Sequence, residues 1–146
     1  MYLDSAVLVK LVVREPDSWF YAERTNGQAH VCSSELALTE CWSALCRKRR
    51  QGEIDKATWQ GAGGRLQSRV QDQTLRLQPV NEAILRRANR LIERCHMEVS
   101  VRTLDAIHLA TCDALDACPI FTNDTVMRKA ARALGMELGP MPEGRE

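Results

Sequence analysis

The chain has 146 residues, 45% hydrophobic and 27% charged, which is the composition of an ordinary globule long enough to bury one core without staples. No apolar run approaches the roughly 20 residues needed to cross a bilayer, which argues against membrane insertion. A net charge of only +1 gives no whole-molecule field to gather polyanions, so any affinity for nucleic acid must come from local clusters.

Residues 1–3 form a short apolar strand without the basic stretch, apolar run and cleavage site of a signal peptide, so a cytoplasmic protein is expected. Asp4 and Ser5 follow, then an apolar helix over 6–13 with Pro16 beyond it. Ser5 is expected to cap that helix through its hydroxyl, which leaves Asp4 at the carboxyl end of the strand. A second strand is expected at 29–32, with Ser33 and Ser34 available to cap a helix over 35–50 that stops before Gly52. Leu36, Ala37, Ala44 and Leu45 form its buried stripe by 3.6-residue periodicity, and Glu40 falls inside that stripe. An acid there is costly unless it is paired or coordinated.

Residues 55–73 read as a helix or a broken helix, because Gly61, Gly63 and Gly64 each penalise a helix interior by about 1 kcal/mol relative to alanine. A half-buried strand is expected at 74–78, where Leu75 and Leu77 alternate with polar neighbours. Asn81 then caps a helix to about Met97, with Ile84, Ala88, Leu91, Ile92 and Cys95 on its apolar face. Thr103 can cap the next helix, placing Asp105 in the first turn, where the helix dipole favours an acid; Ile107, Ala110 and Leu115 face inward. A strand over 119–122 precedes a helix that is capped by Asn123 or Asp124 and stopped at Gly135, with a last strand near 136–138. This alternation predicts a single α/β domain over 1–138, an α/β/α sandwich around a mostly parallel sheet, and a flexible tail over 139–146.

Asp4, Glu40, Asp105 and Asp124 are the candidate catalytic and metal-binding residues. Two carboxylates about 4 Å apart repel by roughly 4 kcal/mol at an effective dielectric of about 20. A cluster of them must therefore protonate or bind a cation. Functional crevices in open α/β sheets lie beyond the carboxyl ends of the strands, which places Asp4 and Asp124 on one rim and Glu40 within reach of it. Periodicity does not bring Asp105 there, because its helix runs antiparallel to the sheet.

The segments YLDSAVLVKLVVREP, SSELALTECWSALCRKRRQGEI, RTLDAIHLATC and IFTNDTVMRKAARALGMEL resemble, in order, those of the PIN-domain ribonucleases, particularly the VapC-type toxins of bacterial toxin-antitoxin modules. The resemblance implies a PIN-like fold in which Asp4, Glu40, Asp105 and Asp124 share one site, with Ser5, Thr122 and Asn123 as polar neighbours. It further implies an RNA substrate, a homodimer and a cognate antitoxin protein. Oxygen-only ligands suit Mg²⁺, with Mn²⁺ as a possible substitute. Attack by water on the phosphodiester then leaves a 5′-phosphate and a 3′-hydroxyl.

His108, on an apolar helix, reads as a packed, hydrogen-bonded imidazole outside the catalytic set. Trp19, Trp42 and Trp59 read as packing residues because they are not interleaved with the basic runs. The basic runs at Arg47 to Arg50, at Arg86, Arg87, Arg90 and Arg94, and at Arg128, Lys129 and Arg132 are solvated helix faces or RNA contacts. The six cysteines lack CxxC or Cys/His spacing and read as small core residues. A haloacid dehalogenase phosphatase would want an aspartate where Ala6 stands, and a phospho-receiver domain would want an acidic pair near the first strand. A non-catalytic PIN-like module that binds RNA or protein is the alternative, and it predicts lost acids.

Overall fold

Tyr2 and Leu3 are neighbours in one strand yet belong to different cores, and the layering follows from that alternation. In the computed structural model, which describes residues 1–144, strand β1 (Tyr2–Leu3) pairs in parallel with β2 (Cys32–Ser34) and with β4 (Ile120–Phe121). Strand β2 also pairs in parallel with β3 (Arg76–Gln78), giving the order β3-β2-β1-β4. Parallel neighbours need crossovers, and these lay helices on both faces of the sheet.

Helices α1 (Ser5–Val12), α2 (Ser18–Thr25), α3 (Leu36–Arg50) and α4 (Lys56–Gln71) bury Leu8, Tyr21, Leu45 and Leu66 on the face that carries Leu3 and Phe121. Helices α5 (Glu82–Cys95), α6 (Thr103–Ala114) and α7 (Thr125–Ala133) bury Leu91, Leu109 and Ala130 on the face that carries Tyr2 and Ile120. The result is the expected α/β/α sandwich, and every strand pairing in it is parallel.

Several local expectations change. The cap of α1 is Asp4 rather than Ser5: its Oδ1 accepts the Val7 N–H at 2.8 Å, and a carboxylate there also meets the positive end of the helix dipole. The second strand begins at Cys32, where the register with Tyr2 on one side and Arg76 on the other sets it. Helix α2 carries no periodic signal in the sequence, because only Phe20 and Tyr21 of its eight residues are buried, too few for a stripe. Leu115, expected to face inward, lies just past α6 and is 38% exposed.

Helix α4 is continuous through its glycines, and the packing shows why one of them is there. A Cβ on Gly63 would lie 2.4 Å from Cη2 of Trp42, so the missing side chain lets α3 and α4 approach. The last expected strand is reduced to one parallel bridge between Leu138 and Ile120. Beyond it, Gly139 is buried, donates its N–H to the Ile120 carbonyl at 2.9 Å and accepts from Arg128 Nη1 at 3.1 Å. The first residue of the expected 139–146 tail is thus packed on the sheet, while Arg145 and Glu146 lie outside the described residues.

Candidate functional site

The carboxyl ends of β1 and β4 lie side by side, stitched by the Asp4 N–H donating to the Phe121 carbonyl at 3.1 Å. Asp4 follows β1 and is 3% exposed. Asp124 lies beyond β4, where its Oδ1 caps α7 by accepting the Met127 N–H at 2.8 Å. One buried hydroxyl ties the two acids together. Thr122 Oγ1 accepts the Asp124 N–H at 3.0 Å, and the same side chain hydrogen-bonds the Asp4 carboxylate. Burial pushes the Asp4 pKa up; the Thr122 and Val7 hydrogen bonds and nearby His108 oppose that push, and the charge of Glu40 adds to it.

Glu40 projects from α3, half-buried, and its Oε2 lies 2.6 Å from His108 Nε2. His108 is 1% exposed, and its Nδ1 lies 2.7 Å from the Tyr2 hydroxyl. A buried line thus runs from the central strand through the imidazole to the carboxylate. Burial alone would raise the Glu40 pKa, but the hydrogen bond and charge of His108 and a hydrogen bond from Ser5 hold it below its ordinary value. His108 is the packed, hydrogen-bonded imidazole that its apolar helix predicts, while its partner on another helix was not legible.

Asp105, in the first turn of α6, completes the group, although periodicity alone does not place it on this rim. Its Oδ2 is buried without a hydrogen-bond partner. Burial raises its pKa first, the charge of Asp124 next, and Glu40 contributes as well, against Arg102 and His108. The four acids therefore share one electrostatic field, in which Asp4 senses Glu40 and Asp105 senses both Asp124 and Glu40. Asn123 accepts a hydrogen bond from the Tyr21 hydroxyl through Oδ1, while its buried Nδ2 has no partner.

Of the four acids Glu40 lines a cleft of about 520 Å³, together with Ser43, Arg47, Lys48 and the chain neighbours of Asp4 and Asp124, Ser5 and Asn123. A larger cleft of about 1130 Å³ between α2 and α4 contains none of the four acids. Among the described residues, no three His, Cys, Asp or Glu side chains form a ready-made metal cage. The donor set nonetheless fits a hard cation: it offers only oxygens, one of them buried and unpartnered, and Mg²⁺ uses few carboxylates while keeping several waters.

The sequence pattern of the PIN domain matches residues 1–133. The chain belongs to the PIN domain family. This PIN domain is 37% identical over 138 residues to Ribonuclease VapC46 of Mycobacterium tuberculosis (strain ATCC 25618 / H37Rv), with 93% of each chain covered. Its fold also matches a solved chain described as a toxin-antitoxin complex from Klebsiella pneumoniae, with a TM-score of 0.56 and 17% identity over 85% of this chain and 86% of that one.

Two parts of this PIN domain's site were not legible in the sequence. The Tyr2–His108 pair joins residues 106 positions apart, and only the strand's alternation, which turns Tyr2 toward α6, hints at it. The ion-pair network beside the cleft is the other. Lys10, 7% exposed, pairs with Glu15 at 2.5 Å and Asp17 at 2.7 Å, while Lys48 pairs with Glu15 at 3.0 Å and Glu53 at 2.8 Å. Lys48 therefore serves this network, and Glu40 is paired with His108 instead.

Proposed function

We propose that this PIN domain is a metal-dependent endoribonuclease, the toxin of a toxin-antitoxin pair, and that it hydrolyses RNA phosphodiester bonds at the cleft of Asp4, Glu40, Asp105 and Asp124. The observation that carries this reading is the buried, unpartnered Asp105 Oδ2 facing the charges of Asp124 and Glu40. An arrangement of that kind calls for a positive counter-ion. The name of the 37% identical relative, a ribonuclease, supports RNA as the substrate.

Asp4, Glu40, Asp105 and Asp124 would hold Mg²⁺, or Mn²⁺ in its place. When bound, such a cation offsets charge on the phosphodiester and makes water a stronger acid. The chain's own residues do the positioning. Thr122 keeps Asp4 and Asp124 in register, His108 and Ser5 fix Glu40, and one cleft carboxylate accepts the proton of the attacking water. Because water attacks rather than the RNA's own 2′-hydroxyl, the products are a 5′-phosphate and a 3′-hydroxyl.

The protein is further read as a cytoplasmic homodimer silenced by a cognate antitoxin. Among the described residues no helix is long and apolar enough to cross a membrane. Leu104, 46% exposed at the cleft, offers such a protein partner an apolar foothold beside the acids. End-labelled RNA incubated with wild type in Mg²⁺, wild type in chelator, and Asp105→Asn in Mg²⁺ tests the activity. Cleavage in the first alone, with 5′-phosphate ends, is the expected result; equal cleavage in all three, or a 2′,3′-cyclic phosphate, contradicts it.

A further inference from the structure

Three cations line the cleft beside Glu40, Lys10, Arg47 and Lys48, and the structure separates their roles. Lys10 and Lys48 face the three carboxylates of Glu15, Asp17 and Glu53, so their network carries more negative than positive charge and has none left for a substrate anion. Arg47 is different. It is exposed, and among the described residues it is the cation of this cleft for which the structure shows no carboxylate partner.

Its position on α3 is also informative. Glu40, Ser43 and Arg47 follow the helical repeat at i, i+3 and i+7, and all three line the cleft. Seven residues of helix place Arg47 about 10 Å along the axis from Glu40. A bound strand that enters at the acids and runs along this face meets a hydroxyl first and a guanidinium next. Guanidinium forks grip phosphate oxygens through two parallel hydrogen bonds, which a carboxylate-saturated lysine does not.

Building on the ribonuclease reading above, we propose that Arg47 anchors a backbone phosphate of the RNA next to the one being cut, with Ser43 beside it, and so sets the substrate's register. Arg47 is thus a substrate-binding residue outside the acidic centre. The bland alternative is that it only complements the negative end of the α3 dipole, as Arg49 and Arg50 also do.

The test is steady-state cleavage of a short single-stranded RNA in Mg²⁺ across a NaCl series, for wild type, Arg47→Gln, Arg47→Lys and Arg50→Gln. Arg47→Gln is expected to raise KM about tenfold with kcat within about twofold. It should also flatten the log-log salt dependence of kcat/KM by roughly 0.7, the amount for one single-strand phosphate. Arg47→Lys should restore the salt slope and only part of KM, and Arg50→Gln should match wild type. Arg47→Gln that cleaves with wild-type KM and slope, whatever its stability, overturns the assignment and leaves the ribonuclease reading standing. Wild type that cleaves no RNA in Mg²⁺ removes both.

Discussion

Asp105 keeps a carboxylate oxygen buried without a partner while two other acids bear on it, so without a counter-ion the folded protein carries a local destabilisation there. Replacing it with asparagine removes the charge at nearly constant shape. In chelator at neutral pH, Asp105→Asn is expected to unfold about 0.5–2 kcal/mol later than wild type in a urea titration. The sign with pH follows from linkage. The folded pKa lies above the ordinary 3.8, so the wild-type deficit is complete above that raised value and vanishes as pH falls below 3.8, where the two proteins should converge. A variant less stable than wild type at neutral pH would mean that Asp105 is held by contacts the structure does not contain. Tyr2→Phe probes the neighbouring line of hydrogen bonds. It deletes the hydroxyl 2.7 Å from His108 Nδ1, and about 1–2 kcal/mol of stability should go with it; unchanged stability would show that the imidazole finds another partner.

At the scale of elements, the contact of α3 with α4 makes neighbouring glycines behave in opposite ways. Gly63→Ala drives a methyl toward the Trp42 ring and should cost about 1–3 kcal/mol. Gly64→Ala meets nothing within 4 Å on the same helix and should add about 0.5–1 kcal/mol. Thermal or denaturant unfolding of the two variants checks this, and shifts of the same sign would contradict it. The pair also shows what a sequence can tell. Helix propensity sees each of these glycines as a penalty, whereas the reason for Gly63 lies on another helix. Elements with their own local signal were legible: Asn81 caps α5 as expected, through the Ile84 N–H at 3.1 Å, and Gly135 ends α7 with φ of 73°. Helix α2 was not, since a helix burying two side chains leaves no period to read.

At the scale of the whole molecule, the parallel sheet is what gathers the acids. Asp4 and Asp124 were legible on one rim because each follows a strand end, which is a local fact, although the capping of α1 by Asp4 rather than Ser5 was not. Glu40 was legible as an acid in an apolar stripe that needed a partner; that the partner is His108, 68 positions away, required the fold. Asp105 was brought in by family resemblance, because the end of the sheet at which an antiparallel helix starts is fixed by packing rather than by period. We propose that these acids together hold one divalent cation. Titrating Mn²⁺ into wild type and into Asp105→Asn, followed by calorimetry or by the electron paramagnetic resonance of free Mn²⁺, tests it most directly. Saturable binding in wild type that competes with Mg²⁺ and is lost in the variant is the expected result. Equal binding by both, or none by wild type, would contradict it.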